Sequence, residues 1–401
     1  MRIPGLDNVH LTYCLNVHPG STFEEAQVAI FCNAREVFER FRRRTGATPP
    51  YGLGIWLSAE AVGTLVREEK VERFGRGLAA ERFYAFTLNG FPYGRFHGTR
   101  VKERVYRPDW ADERRSDYTN LLVYALARLL PEGVRGSIST VPVTFKPWAE
   151  PARVEQAVVR LAGAALFLSD VLDTSGTEIA LALEPEPGCY LETAADVSRF
   201  FDEELLPVGR DVIRREHGVG AAAAEAILRR HVGVCLDTTH TGVMGEDPTV
   251  AVGRLAASGI RLCKVQLGAA LSVDVGSDGP PPALDAFKDD VYLHQVTART
   301  EGGDVFFTDL PDALEHWRRA VGEWRVHFHV PLSWDGEGAI RTTRDQVDTA
   351  FLRAAVAAGC EHFELEIYTL DVFPAQIESV EDAMADDLAW LWQRFLSIPS
   401  Q

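Results

Sequence analysis

Val232 to His240 reads VGVCLDTTH, an apolar run that closes on an aspartate, two threonines and a histidine. Such a run belongs in a strand covered on both faces, and a charged residue directly behind it leaves the core at the strand's carboxyl end. Three more stretches repeat the pattern: LALEPEPG (Leu181 to Gly188), VHFHVP (Val326 to Pro331) and FELEIY (Phe363 to Tyr368). In a closed parallel sheet the chemistry gathers at that end. Carboxylates and imidazoles collected there outline a metal site.

Outward from this stretch, apolar strands alternate with amphipathic segments along the whole chain. The strand candidates are Val9 to Val17, Gly52 to Leu57, Phe83 to Leu88, Gly136 to Val141, Ile179 to Leu183, Val232 to Leu236, Ile260 to Leu267 and Phe363 to Ile367. Between them lie helical stripes such as Phe31, Ala34, Phe38 and Phe41, and the segments Leu121 to Leu130, Val154 to Leu172, Ala221 to Leu228 and Val347 to Ala358. Eight strands in this alternation predict an α/β fold, the (β/α)8 or TIM barrel. Gly176, Gly233, Gly259 and Gly359 are expected at helix-to-strand joints, where a left-handed cap turns the chain back. No GxGxxG follows the first strand and no Walker lysine loop occurs, which argues against a dinucleotide or P-loop fold.

The spacing breaks once. Between Leu267 and Arg325 lie SDGPPP (Ser277 to Pro282) and a glycine pair, Gly302 and Gly303, in a stretch far longer than an ordinary βα loop. We therefore expect a single barrel over residues 1–401, with a long insertion after strand 7 at about 268–324 that rises from the barrel mouth. A second long loop, Phe91 to Trp110, follows the third strand.

The chain has 401 residues, 46% of them hydrophobic, enough for a large core. Its 41 Lys plus Arg against 58 Asp plus Glu give a net charge of -17, which disfavours nucleic acid and anionic membrane as partners. The cysteines stand singly, without CxxC spacing, and read as buried free thiols. No apolar leader and no transmembrane segment is visible, so we expect a cytoplasmic location.

Side chains at i and i+2 of a strand share a face, so Glu184 with Glu186, and Glu364 with Glu366, can aim inward together. Asp237 and His240, spaced i, i+3, suit a strand that turns into a helix. Taken singly, a glutamate at a strand end is more often a helix-cap neighbour or half of an ion pair, and His327 with His329 can be a structural pair. Their coincidence at consecutive strand ends favours a cation, because converging carboxylates repel one another. Mixed oxygen and imidazole donors suit a divalent ion such as Mn, Zn, Co or Fe.

Glu184, the DTTH of Asp237 to His240, and Glu366 resemble the metal-site pattern of the xylose isomerase-like barrels, a superfamily of sugar isomerases and epimerases, inosose dehydratases and apurinic endonucleases. More closely, HLTYCLNVHPG (His10 to Gly20), the loop Thr87 to Trp110, GSISTVP (Gly136 to Pro142), LEPEPG (Leu183 to Gly188), KVQLGAAL (Lys264 to Leu271), RVHFHVPL (Arg325 to Leu332) and ELEIYTLDVFP (Glu364 to Pro374) resemble the EboE-like metabolite traffic family. The resemblance implies Glu184, Asp237, His329 and Glu366 as metal ligands, and other Ebo operon proteins as partners. Where superfamily epimerases place a histidine on the seventh strand, this chain has Gln266.

Superfamily chemistry implies a sugar phosphate isomerase or epimerase type of reaction on a sugar, polyol or related small-molecule substrate. Glu184 and Glu366 are then the acid and base, with Lys264 as a further catalytic charge unless it pairs with one of those glutamates. Asn89, His97, His240, Gln266 and His327 are the substrate-binding candidates. Arg100, Lys102 and Arg104 could take a phosphate or carboxylate, although a solvated basic loop is the plainer reading. Two other classes stay open: a non-catalytic metabolite carrier, and an apurinic endonuclease-like phosphodiesterase.

Overall fold

The computed structural model describes residues 1–67, 70–374, 377 and 379–399. The expected strands form at the expected places. They are β1 (His10–Tyr13), β2 (Tyr51–Trp56), β3 (Phe83–Asn89), β4 (Gly136–Thr140), β5 (Ile179–Leu183), β6 (Val232–Asp237) and β7 (Leu262–Leu267), joined after a long excursion by β14 (His362–Leu365). These eight strands are parallel, in the order β1-β14-β7-β6-β5-β4-β3-β2. A parallel bridge between Cys14 and Gly54 links the two ends of the sheet, and the fold is a (β/α)8 barrel.

Amphipathic helices cover the outside. The helix Arg35–Thr45 buries Val37, Phe38 and Phe41 and leaves its arginines in the last turn, where they meet the negative end of the helix dipole. The helix Pro151–Ser175 begins on a proline and stops at Gly176 in the left-handed region. Gly259 and Gly359 also have positive φ, as expected for caps. Gly233 does not cap a helix. It lies inside β6, where a Cβ would stand 2.3 Å from the carbonyl oxygen of Arg261, so the close approach of the neighbouring backbone accounts for it.

The first strand is shorter than its apolar run. It ends at Tyr13, and Leu15–Val17 coils into a 3-10 turn. This turn carries Asn16 to the mouth, where it lines the main cavity.

Directly behind β7, at Gly268, the chain leaves the barrel and builds a second sheet of β8 (Ala269–Val275), β9 (Val296–Thr300), β10 (Gly303–Phe307), β11 (Gly322–Val330), β12 (Gly336–Glu337) and β13 (Ile340–Thr342). Its order is β10-β9-β11-β8-β13-β12 and its pairings are antiparallel. The sheet thus takes in VHFHVP and continues past residue 324, because β11 finds its partners in β8 and β9 rather than in the barrel. A register shift between Val326 and Val330 lets the end of β11 peel away over the barrel mouth. Among the described residues, no helix is long and apolar enough to cross a membrane.

Candidate metal centre

Three barrel strands deliver carboxylates. Glu184 follows β5 immediately, buried, with its Oε2 unpartnered among the described residues. Asp237 ends β6 and caps the helix Thr238–Met244: its Oδ1 accepts the amides of Thr239 at 2.6 Å and His240 at 3.3 Å, while Oδ2 has no partner among them. Glu366 lies just beyond β14, and its Oε1 accepts amide protons from Asn16 at 2.8 Å and Asn89 at 3.0 Å. In each case one oxygen is held by the scaffold or the other is left free.

The imidazoles arrive from two directions. His240 rides on the first turn of the helix that Asp237 caps, while His327 and His329 stand on one face of β11. Phe328 between them points the other way and stacks on His294 at 4.7 Å, as strand alternation requires. The donor atoms fall into overlapping groups, each within 4.8 Å: His240, His327 and His329; Glu184, Asp237 and His240; Asp237, His329 and Glu366.

Hydrogen bonds set the tautomers. Nδ1 of His240 faces the carbonyl oxygen of Pro185 at 2.8 Å, and Nδ1 of His329 faces that of Glu366 at 2.9 Å. A carbonyl only accepts, so both Nδ1 atoms carry the proton and both Nε2 atoms present lone pairs. Nδ1 of His327 lies 2.7 Å from Oε1 of Gln295. That amide is oriented by its other end, since Nε2 of Gln295 donates to the carbonyl of Pro187 at 3.0 Å and to the Tyr106 hydroxyl at 2.8 Å. Tyr106 in turn donates to Glu186 at 2.6 Å. The Nε2 atoms of His327 and His329 consequently face each other at 3.0 Å, lone pair against lone pair.

The charges are as unbalanced as the lone pairs. Burial, followed by the carboxylates of Asp237 and Glu186, pushes Glu184 well above the ordinary range. Burial, Glu184 and Asp237 do the same to Glu366. Burial would also raise Asp237, but attraction to His240 and His329, the neighbouring Glu366 carboxyl and the Thr239 amide outweigh it and hold it low. Burial, then repulsion from His240, takes His327 well below the usual imidazole value, and burial brings His329 down to about 4. A shared proton is therefore a poor bridge between the two imidazoles. A divalent cation among these donors would relieve both the carboxylate repulsion and the facing lone pairs.

The other expected residues are distributed around this cluster. Asn89 lines the cavity, with its amide nitrogen on Glu366 and its oxygen accepting the Phe91 amide at 2.9 Å, so it positions Glu366. Lys264 sits deeper in the barrel, fully buried, with Nζ 2.5 Å from Glu364 and 3.3 Å from the Ser139 hydroxyl. The ion pair suggested for it thus forms with Glu364, one inward position below Glu366, and not with Glu184 or Glu366. Gly54 makes room for that pair, since a Cβ there would stand 1.7 Å from Glu364. Gln266 is inside the barrel beside Asp237 in register and accepts the Cys235 thiol at 2.9 Å, outside the metal-donor groups. His97 does not line the main cavity; its ring packs against Trp56 and Phe96, at 5.9 and 5.3 Å between centroids. Phe91 lines the cavity, whereas Trp334 packs on Phe287 and Phe373 away from it.

Asn16, Tyr106, Tyr292, Gln295 and Tyr368 were not singled out from the sequence. No spacing rule points to them, because each acts through a contact with a distant segment. Tyr106 and Gln295 bond across 189 positions of chain.

The chain can now be set beside known proteins. No family model and no curated protein matches it. Among solved structures it is similar to an IolI protein with a bound zinc atom (12% identity, TM-score 0.46, covering 97% of this chain and 98% of that one). It is also similar to a D-tagatose 3-epimerase-like protein (10%, 0.45, 97% and 98%) and to a xylose isomerase domain protein from Planctomyces limnophilus (13%, 0.47, 90% and 89%). These are likenesses of barrel architecture alone.

Proposed function

We propose that this barrel is a metal-dependent enzyme of the isomerase or epimerase type, acting on a sugar, polyol or related small metabolite in the manner of the xylose isomerase-like barrels. One observation carries the reading: His240, His327 and His329 each hold Nδ1 against a carbonyl oxygen, His240 and His329 share donor groups with the carboxylates of Glu184, Asp237 and Glu366, and His327 adjoins both imidazoles. Glu184, Asp237, His329 and Glu366 would hold the ion, with His240 and His327 beside it. A Zn, Mn, Co or Fe ion bound there would act as a Lewis acid on a substrate carbonyl or hydroxyl.

The chain's own residues do the rest. Glu184 and Glu366 stand on strand ends separated by β6 and β7, and so face a bound carbon from different sides. Each is placed to take a proton from carbon or to return it, the work of a positioned carboxylate and its conjugate acid. Asn16 and Asn89 fix Glu366 Oε1. The excursion and the loop after β3 close over the mouth and keep bulk water from the exchanged proton.

The finer assignment to a cytoplasmic Ebo-type traffic system rests on the seven sequence stretches quoted above and belongs to this proposal. Within it a carrier role is a second reading, favoured by the apolar lining of the cavity. Incubating the Zn- or Mn-loaded protein with a panel of ketoses and inososes in D2O separates the two. An isomerase introduces deuterium next to the carbonyl of at least one of them, and Glu366→Gln abolishes it. Binding with no exchange throughout the panel would favour the carrier.

A further inference from the structure

We propose that the ligand of this pocket is uncharged and carries an apolar body beside the hydroxyl or carbonyl group that meets the metal; the inference rests on the metal-centre reading above. The cavity over the cluster is narrow, about 40 Å³, and open to solvent at its mouth. Its floor is Glu184, Glu186, His240 and Glu366. Its roof is of a different kind: Phe91, Phe96, Val101, Tyr292, Leu293 and Tyr368. Phe96, Val101 and Tyr292, with Trp56, form a small apolar cluster distinct from the main core. Phe96 meets Tyr292 and Tyr368 at 5.2 Å between centroids in both cases.

Charge decides against an anion. The one cationic side chain in the lining, Lys102, is buried and already bound, with Nζ 2.6 Å from Asp309 and 3.0 Å from the carbonyl of Asp289. The amides of Val101 and Lys102 both reach the carbonyl of Val291 at 2.9 Å, so Lys102 serves to lock the loop after β3 to the excursion. The loop's arginines, Arg95, Arg100, Arg104 and Arg107, are exposed and line a neighbouring hollow on the other side of Phe96 and Val101. A phosphate in the main cavity would face the floor carboxylates with no free cationic side chain among the described residues of its lining.

Unspent hydrogen-bonding groups mark where a neutral polar head would fit. Asn16 is 1% exposed; its Nδ2 is committed to Glu366, and its Oδ1 has no partner among the described residues. The Tyr292 hydroxyl, on a side chain 3% exposed, has none among them either. Both residues line the cavity. Buried polar atoms of this kind cost free energy unless a ligand or water satisfies them, and hydroxyl groups suit both.

The test is calorimetric binding to Zn-loaded protein of two probe pairs: glycerol against 3-phenoxypropane-1,2-diol, and D-fructose against D-fructose 6-phosphate. We expect the phenoxy diol to bind at least about tenfold tighter than glycerol, and the phosphate ester at least about tenfold weaker than fructose. Phe96→Ala should erase the advantage of the phenoxy group, and Tyr292→Phe should weaken the three neutral probes several-fold while leaving zinc binding unchanged. Tighter binding of the phosphate ester, no gain from the phenoxy group, or no binding of any neutral probe would overturn the inference. Failure of zinc itself to bind would instead overturn the metal-centre reading, so the two failures are distinct.

Discussion

The ends of β5, β6 and β14 and the end of β11 feed one cluster, yet they differ in almost every structural respect. The barrel strands are parallel, fully buried, and donate oxygen: Glu184, Asp237 and Glu366. The excursion strand is antiparallel, shifts register near its end, and donates nitrogen from His327 and His329. The barrel alone would offer three carboxylates and one imidazole, that of His240. The excursion adds two further imidazoles that would strengthen a preference for transition metals, and its Tyr292 and Leu293 supply part of the apolar roof. Charge thus belongs to the common scaffold, while the added segment would weight the site toward transition metals and shares the roof with the loop after β3.

The largest expected effect breaks the barrel side. Lys264→Met leaves Glu364 buried without its cation and should lower unfolding free energy by about 3–5 kcal/mol in urea titrations, with Lys264→Met/Glu364→Leu recovering most of it. An unchanged midpoint in the single variant would mean that the pair contributes nothing.

Asp387 tests how the excursion is anchored. It lies on the helix Val380–Leu396, fully buried, and accepts the amides of Leu332 at 2.7 Å and Ser333 at 2.8 Å, just past β11. Burial raises its carboxyl from 3.8 to about 6. A carboxyl with a raised folded pKa favours the folded state below its unfolded value, and that contribution is lost as pH climbs through about 6. Between pH 4 and 7 this single group should cost about 3 kcal/mol. Asp387→Asn should flatten that slope in melts across the same range, and an equally steep slope in the variant would exclude Asp387 as its source.

Smaller effects sharpen the division at the cluster. Glu366→Gln keeps the shape and removes a base, so turnover on any substrate found should fall by roughly a hundredfold or more, while an unaltered rate would place the base elsewhere. Gln295→Leu removes the partner of His327 Nδ1 and so frees the tautomer of that ring. Metal affinity should drop about 10- to 100-fold, read by chelator competition, with the barrel's stability unaffected.

Much of this was legible in the sequence. The barrel strands could be read because a strand buried on both faces is a short apolar run, and the carboxylates because a charged residue behind such a run has only the mouth to go to. Parity placed Glu364 and Glu366 on the same inward face, and the structure adds that they lie at different depths, one paired to Lys264 and one in the cluster. The HFHV histidines could be seen as donors, although their strand pairs outside the barrel. What stayed hidden depends on long-range contact. Asn16 was read as strand because Val9 to Val17 is apolar enough to continue, and nothing local announces the turn after Tyr13. Gln295 and Tyr106 orient donors through bonds between distant segments, which no local periodicity records. His97, read as a substrate contact from its place in an aromatic loop, instead packs its ring against Trp56.

The central claim is that the excursion's imidazoles and the barrel's carboxylates make one transition-metal site. Titrating metal-free protein with Zn and, separately, with Mg, followed by melting temperature and calorimetry, tests it most directly. The account predicts a clear rise in melting temperature with Zn, binding at least about a hundredfold tighter than Mg, and loss of that preference in His329→Ala. Equal affinity for the two ions, or no stabilisation by either, would contradict it.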